Sequence, residues 1–114
     1  MAAAERNLAE ISLDGMSAET RFDLAYKCIL KVAMAGLAAK GFRTSQNQPG
    51  HHATAIQCLG WTLEVPSNRI IVFEKLRKQR NISDYSGDLI SEQVAQACVA
   101  EATSLTMLAR TAFA

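Results

Sequence analysis

Apolar residues recur every three to four positions along most of this chain, which is the repeat of a helix with one buried side. The longest run covers residues 18–40. Its apolar members lie on one side of the predicted helix: Phe22, Tyr26, Ile29, Ala33 and Leu37. Ser17 stands before the run as a predicted N-cap, and Gly41 follows it as a helix stop.

Four further segments show helical patterns and are separated by polar or glycine-containing stretches. They cover residues 2–13, 51–63, 69–85 and 92–112. The pattern ends the first of them at Asp14-Gly15. Ser67 and Ser91 are the predicted N-caps of the last two helices.

The helical segments and the weak strand signals predict an all-α fold. The run "IIVF" is the best strand candidate, but it fits the helical period of the segment around it better. Long helices joined by connections of modest length favour an up-and-down antiparallel bundle of four to five helices. We expect residues 1–114 to form a single domain, with 1–16 as an N-terminal helix or arm. Residues 41–52 are polar and form a loop in this prediction.

Composition narrows the class of protein without naming a partner. The chain has 114 residues, 49% of them hydrophobic and 20% charged, which fits one globular domain. A formal net charge of +1 means that any basic surface has to be local. Cys28, Cys58 and Cys98 form no CxxC motif, so we expect reduced thiols and no metal or cofactor. The first residues lack the pattern of a signal peptide and no apolar run is long enough to span a bilayer, so a cytoplasmic location is expected.

Charged residues on two of the predicted helices occupy outward positions. Asp23, Lys27 and Lys31 step by four residues, which predicts a solvated stripe that contains an Asp-to-Lys pair. Lys75 and Lys78 lie on the outer side of the helix that covers 69–85. We expect both groups to face water.

Arg80 has a different helical phase from these lysines. Four residues share one face of the fourth helix: Arg69, Phe73, Leu76 and Arg80. Arg80 is therefore predicted to point inward, where an unpaired charge is very unfavourable. Asp84 lies one turn further on, so Arg80, Asp84 and Tyr85 can form a polar clamp. Alternatively, the five cations between Arg69 and Arg80, opposed only by Glu74, can form a patch for phosphate groups.

The histidines at 51 and 52 allow two interpretations. Adjacent helical residues point about 100° apart, so the pair lacks the i, i+4 geometry that holds a metal. Either His51 and His52 simply begin a helix, or one imidazole faces a cleft as an acid, a base or a phosphate ligand.

Three segments together resemble the HEPN superfamily of small helical bundles. They are "AY" at 25–26, "GHH" at 50–52 and "RKQRNISDYSG" at 77–87. The resemblance covers the chain from Ser17 to its end. It implies a homodimer in which the arginine-bearing helices of two subunits face one another across a cleft. It also implies a toxin–antitoxin or antiviral-defence setting, with a small nucleotidyltransferase antitoxin as partner.

The resemblance implies roles for individual residues. Many HEPN proteins are metal-independent endoribonucleases with a histidine four to six residues after an arginine, whereas other members only bind. Arg80 matches that arginine and Asn81 matches the polar residue beside it. Tyr85 stands where the histidine is expected. A phenol with a pKa of about 10 is a poorer base at neutral pH than an imidazole with a pKa of about 6.5.

We therefore expect a binding protein, with nucleotide, RNA phosphate or a partner protein as ligand, and the sequence leaves open whether it is also an enzyme. The candidate binding residues are Arg77, Arg80, Asn81, Asp84, His51 and His52. The first alternative is an active endoribonuclease that uses Arg80 with Tyr85 or with one of the two histidines. The second alternative is a structural helical module in which Arg80 clamps Asp84.

Overall fold

The chain folds into helices alone over the residues that a computed structural model describes. These are residues 2–11, 15–42, 51–86 and 90–113, except for the side chains of His51 and of residues 83–86. The described helices are α1 (Ala2–Ile11), α2 (Ala18–Ala39), α3 (His51–Gln57), α4 (Leu59–Thr62), α5 (Ser67–Ser86) and α6 (Glu92–Phe113). The all-α prediction is confirmed.

Contacts between helices fix their directions. Arg21 near the start of α2 pairs with Glu92 at the start of α6, and Cys28 lies beside Thr106 further along, so α2 and α6 run parallel. Glu5 in the first turn of α1 pairs with the last turn of α6, so α1 runs in the opposite direction to both.

α5 runs back along α2. It begins just after Thr62, whose side chain lies beside Gly36 near the end of α2, and it brings Arg80 back to Asp23 near the start of α2. The four long helices α1, α2, α5 and α6 therefore alternate in direction, as expected for an up-and-down bundle. The short helices α3 and α4 lie between α2 and α5 in the chain and contact both.

The centre of the bundle is the contact between α2 and α6, the most extensive of the helix–helix contacts. The buried residues of these two helices are mostly small, among them Ala25, Cys28, Val32, Ala33, Ala95, Cys98, Ala102 and Ala109. Small side chains let two helix axes approach closely, because interaxial distance follows the size of the residues at the contact. Larger side chains are also fully buried in the core, among them Tyr26, Phe73 and Leu105.

Several of the predicted helix ends are confirmed. The hydroxyl of Ser17 accepts a hydrogen bond of 3.2 Å from the backbone N–H of Thr20. The hydroxyl of Ser91 accepts one of 3.1 Å from Val94 N–H. Gly41 adopts φ +87°, a left-handed conformation that follows a helix end readily only in glycine.

Two predicted boundaries were wrong. Ser67 is the first residue of α5 rather than its N-cap, because the carbonyl of Pro66 already accepts from Ile70 N–H at 3.2 Å. The single helix predicted for 51–63 is interrupted at Cys58. There the chain tightens, since Trp61 N–H bonds to the Cys58 carbonyl three residues earlier at 2.9 Å.

The segment that precedes α2 is a packed helix. α1 contacts α2 and α6, with Ala4 and Asn7 buried. Asp14 and residues 43–50 of the loop predicted for 41–52 lie outside the described residues, whereas His51 and His52 belong to α3. None of the described helices is long and apolar enough to cross a membrane.

Candidate functional site

Arg80 is anchored on α2, as its inward helical phase requires. Its Nε and Nη2 atoms lie 3.3 and 3.2 Å from Oδ1 of Asp23. The Arg80 side chain is 25% exposed and that of Asp23 40% exposed, so the pair sits at the rim of the core and in contact with water. Arg80 thus has a carboxylate partner 57 residues away in the chain. The side chain of Asp84, the partner expected from the sequence, lies outside the described residues.

Tyr26 lies beneath the Arg80 guanidinium. The Cζ atom of Arg80 is 5.0 Å from the centroid of the Tyr26 ring, a distance typical of a cation–π contact. The tyrosine is 1% exposed. Burial raises the pKa of its phenol, and the neighbouring cations Arg80 and Arg77 offset this only in part. Tyr26 is therefore a neutral platform near neutral pH and not a ready general base.

Asp23 joins two cations. Its second oxygen, Oδ2, lies 2.9 Å from Nζ of Lys27, one helical turn further along α2. The predicted Asp-to-Lys pair is therefore present. Asp23 is only half-exposed and also contacts α5, so the expectation that it belongs to a wholly solvated stripe was wrong.

Arg77 is paired within α5. Its Nη2 lies 3.0 Å from Oε2 of Glu74, three residues earlier, and its side chain is mostly covered. The hydrogen bond to Glu74 raises the pKa of the Arg77 guanidinium, which keeps it charged at any accessible pH. Each of the two arginines near Tyr26 thus has its own carboxylate.

The surroundings of these pairs are positively charged. We define the basic α2–α5 surface as segments 23–31 and 74–80. It contains six cations, Lys27, Lys31, Lys75, Arg77, Lys78 and Arg80, and two carboxylates, Asp23 and Glu74. Lys75 and Lys78 are exposed, as predicted, and so are Lys27 and Lys31. These two segments together therefore have a local excess of four positive charges in a chain whose formal net charge is +1.

The other candidate residues occupy different positions. Asn81 is exposed on α5, and His52 is half-buried on α3, which packs against α2 and α5. The side chains of His51 and Tyr85 lie outside the described residues. The structure thus brings Arg77 and Arg80 close to Tyr26 and leaves Asn81 on the solvent side of the helix.

A second arginine on the same face of α5, Arg69, also pairs with a carboxylate on another helix and lies over an aromatic ring. Arg69 pairs with Glu101 of α6 at 3.1 Å and lies 5.4 Å from the centroid of the Phe73 ring. α5 is therefore attached at one end to α6 and at the other to α2, each time by an arginine over a buried aromatic ring. Because Arg69 pairs with α6 rather than with α2, we assign it to packing.

Asp23 and Tyr26 are the members of this site that the sequence did not reveal. Tyr26 was expected in the core, and Asp23 was expected in solvent. Their spacing of three residues places them on adjoining positions of one helical face. One signal in the sequence could have indicated the ion pair between Asp23 and Arg80. It is a carboxylate at the edge of the apolar face of one helix, together with an inward arginine on another helix.

The arrangement can hold anions through fixed guanidinium and ammonium groups. Among the described residues, no group of three His, Cys, Asp or Glu side chains is placed to bind a metal ion. Comparisons of the chain with protein-family models, with curated proteins and with solved structures each gave no match.

Proposed function

We propose that this chain is a HEPN-like homodimeric protein that binds the phosphate groups of a nucleotide or of RNA on the basic α2–α5 surface without cleaving them. The observation that supports the proposal is the local excess of four positive charges around Arg80 and Arg77. Phosphate contacts from Lys and Arg supply most of the sequence-independent affinity for nucleic acid. A toxin–antitoxin or defence setting, with a nucleotidyltransferase partner, belongs to the same proposal and rests on the resemblance.

Binding without cleavage is favoured by the chemistry around Arg80. The aromatic group that contacts its guanidinium is Tyr26, and burial raises the pKa of that phenol. A general base for RNA cleavage has to accept a proton near neutral pH, which a buried neutral phenol does poorly. Cleavage through Tyr85 or a histidine is the alternative that the experiment below distinguishes.

The homodimer rests on the resemblance alone. An inward arginine favours a polar cleft between subunits when it has no partner in its own chain. Here Asp23 supplies that partner, at 3.2 Å, within one subunit. Light scattering at micromolar concentration tests the dimer independently of ligand binding.

The binding test uses a labelled single-stranded RNA and, separately, a nucleoside triphosphate, both in EDTA. Fluorescence anisotropy measures affinity across a salt series, and a denaturing gel follows the integrity of the RNA. We expect Lys78→Gln and Arg77→Gln to weaken binding and to reduce the salt slope by about one for each lost phosphate contact. The matched control is Arg6→Gln, which removes an exposed cation from α1.

Three results would count against the proposal. If neither probe binds at low salt, the proposal is wrong. It is also wrong if Arg6→Gln loses as much affinity as Lys78→Gln and Arg77→Gln do. If the wild-type protein cleaves RNA and Arg80→Ala does not, the endoribonuclease alternative is correct and the proposal of binding without cleavage is wrong.

A purely structural role for Arg80 is the second candidate, and the ion pair with Asp23 favours it. In that case Arg80→Met lowers stability and leaves every binding measurement unchanged.

A further inference from the structure

We propose that Asp23 is an internal anion that occupies Arg80 until a ligand phosphate replaces it, while Lys27 keeps the displaced carboxylate paired. The inference rests on the proposed function and describes how that same site is regulated. It predicts that the chain restrains its own affinity for phosphate.

The contact between Arg80 and Asp23 uses the donors that a phosphate would use. Nε and Nη2 lie side by side on one edge of the guanidinium, and both point at a single carboxylate oxygen at 3.3 and 3.2 Å. Arginine binds carboxylates and phosphates through this same edge. A phosphate that approached Arg80 along this edge would compete directly with Asp23.

The second oxygen of Asp23 makes the exchange feasible. It lies 2.9 Å from Nζ of Lys27 on the same helix, so the contact does not depend on α5. When another anion replaces Asp23 at Arg80, Asp23 retains a cation one turn away and is not left unpaired. Breaking a half-exposed ion pair also costs less free energy than breaking a buried one.

Tyr26 holds the guanidinium in place during the exchange. Its ring is buried, and it contacts Arg80 from the protein side at 5.0 Å. The cation–π contact does not involve the N–H edge that faces Asp23, so it persists whichever anion is bound. An arginine that is already positioned loses less conformational entropy on binding than a free surface arginine.

The test compares two variants that each remove one negative charge from α2. Asp23→Asn removes the competing carboxylate. Glu19→Gln removes an exposed carboxylate one turn earlier, and it corrects for the general effect of net charge. The probes are inorganic pyrophosphate, by calorimetry, and a labelled single-stranded RNA, by anisotropy, both at fixed salt.

We expect Asp23→Asn to bind both probes about two- to fivefold more tightly than Glu19→Gln does, the range that corresponds to one half-exposed ion pair. Asp23→Ala is measured in parallel, so that the result does not depend on how one variant folds. Thermal unfolding of each variant shows that the proteins compared are folded.

A second comparison examines Lys27. Lys27→Met and Lys31→Met each remove one exposed cation from the same stripe of α2. In the wild-type background we expect Lys27→Met to lose about two- to threefold more affinity than Lys31→Met, because displaced Asp23 then has no partner. In the Asp23→Asn background that difference disappears, since no carboxylate has to be held.

The outcomes separate this inference from the proposed function. Wild-type binding with equal affinities for Asp23→Asn and Glu19→Gln overturns the inference and leaves the proposed function standing. Absence of binding in the wild type and in every variant overturns both. A persistent difference between Lys27→Met and Lys31→Met in the Asp23→Asn background overturns the role given to Lys27.

Discussion

A Cβ atom added at Gly36 would lie 2.9 Å from Oγ1 of Thr62 and 3.1 Å from its Cβ. The side chain of Thr62, at the end of α4, packs against α2 at this point because position 36 has no side chain. Glycine is required here by space, since Gly36 lies within α2 and not in a left-handed turn.

We expect Gly36→Ala to destabilise the protein by about 1–3 kcal/mol, the usual penalty for overpacking a core. Alanine favours a helix over glycine by about 1 kcal/mol, so this penalty has to exceed the gain in propensity. Urea unfolding measures the change in the free energy of unfolding. Ala35→Gly, at a half-buried neighbouring position, calibrates the effect of propensity alone.

Thr62 offers the matching test from the other helix. Its hydroxyl is buried and has no hydrogen-bond partner. Thr62→Ala removes the atom that a Cβ at position 36 would meet first, so it should recover part of the loss in Gly36→Ala. In the wild-type background we expect Thr62→Ala to change stability by less than about 1 kcal/mol, because no hydrogen bond is lost. If Gly36→Ala lowers the free energy of unfolding equally with and without Thr62→Ala, the packing explanation is wrong.

The ion pair between Arg80 and Asp23 should couple the two residues in stability. A double-mutant cycle with Arg80→Met and Asp23→Asn should give a coupling of about 0.5–1 kcal/mol, since both groups are partly exposed to water. The same cycle with Asp84→Asn tests the partner expected from the sequence, and we expect a smaller coupling there. A larger coupling with Asp84 would mean that Arg80 is held mainly within α5.

Stability should fall at alkaline pH. Burial raises the pKa of the Cys98 thiol from 9.0 to about 12, and it also raises the pKa of the Tyr26 phenol. Above pH 9 the unfolded chain releases protons that the folded chain retains, so the free energy of unfolding decreases as pH rises. The slope is at most about 1.4 kcal/mol per pH unit for each such group.

Urea unfolding from about pH 7 to about pH 10 checks this linkage. Cys98→Ala should flatten the alkaline slope, even though it lowers stability at neutral pH by leaving a small cavity. Cys58→Ala, which removes a half-buried thiol at the junction of α3 and α4, serves as the control. Identical slopes in wild type and Cys98→Ala would show that this thiol does not contribute.

The three cysteines should differ in reactivity. Cys28 and Cys98 are buried between α2 and α6, and Cys28 lies 3.2 Å from the Thr106 hydroxyl, whereas Cys58 is half-buried. We expect a thiol reagent to label Cys58 first in the folded protein and the other two only after unfolding, because reaction requires an accessible thiolate. Mass spectrometry of peptides after timed labelling identifies the order.

Local patterns were sufficient to predict the helices and much of the core. Ser17 and Ser91 cap helices because a hydroxyl before a run of helix formers satisfies orphan N–H groups, which depends only on neighbours in sequence. Arg80 was expected to face inward from its phase relative to Phe73 and Leu76, and it does. Such inferences succeed because they depend on one helix at a time.

The partner of Arg80 could not be predicted in this way. Asp84 is one turn away and follows from helical geometry, whereas Asp23 is 57 residues away and follows only from how α5 lies on α2. The break at Cys58 was also missed, because the apolar period of Ile56, Leu59 and Leu63 continues through it. The period of apolar residues describes one helix at a time, so it does not predict contacts between residues on two different helices.

The close contact between α2 and α6 has a consequence for the order of events during synthesis. Arg21 and Glu92 are 71 residues apart, and Cys28 and Thr106 are 78 apart. The apolar side of α2 is made early, and helices α1, α3, α4 and α5 can cover part of it, but its most extensive single contact forms only after α6 is synthesised. Until then the side of α2 that packs on α6 lacks its native cover, and exposed apolar surface of this kind promotes aggregation. The consequence is that α6 completes the core of the bundle.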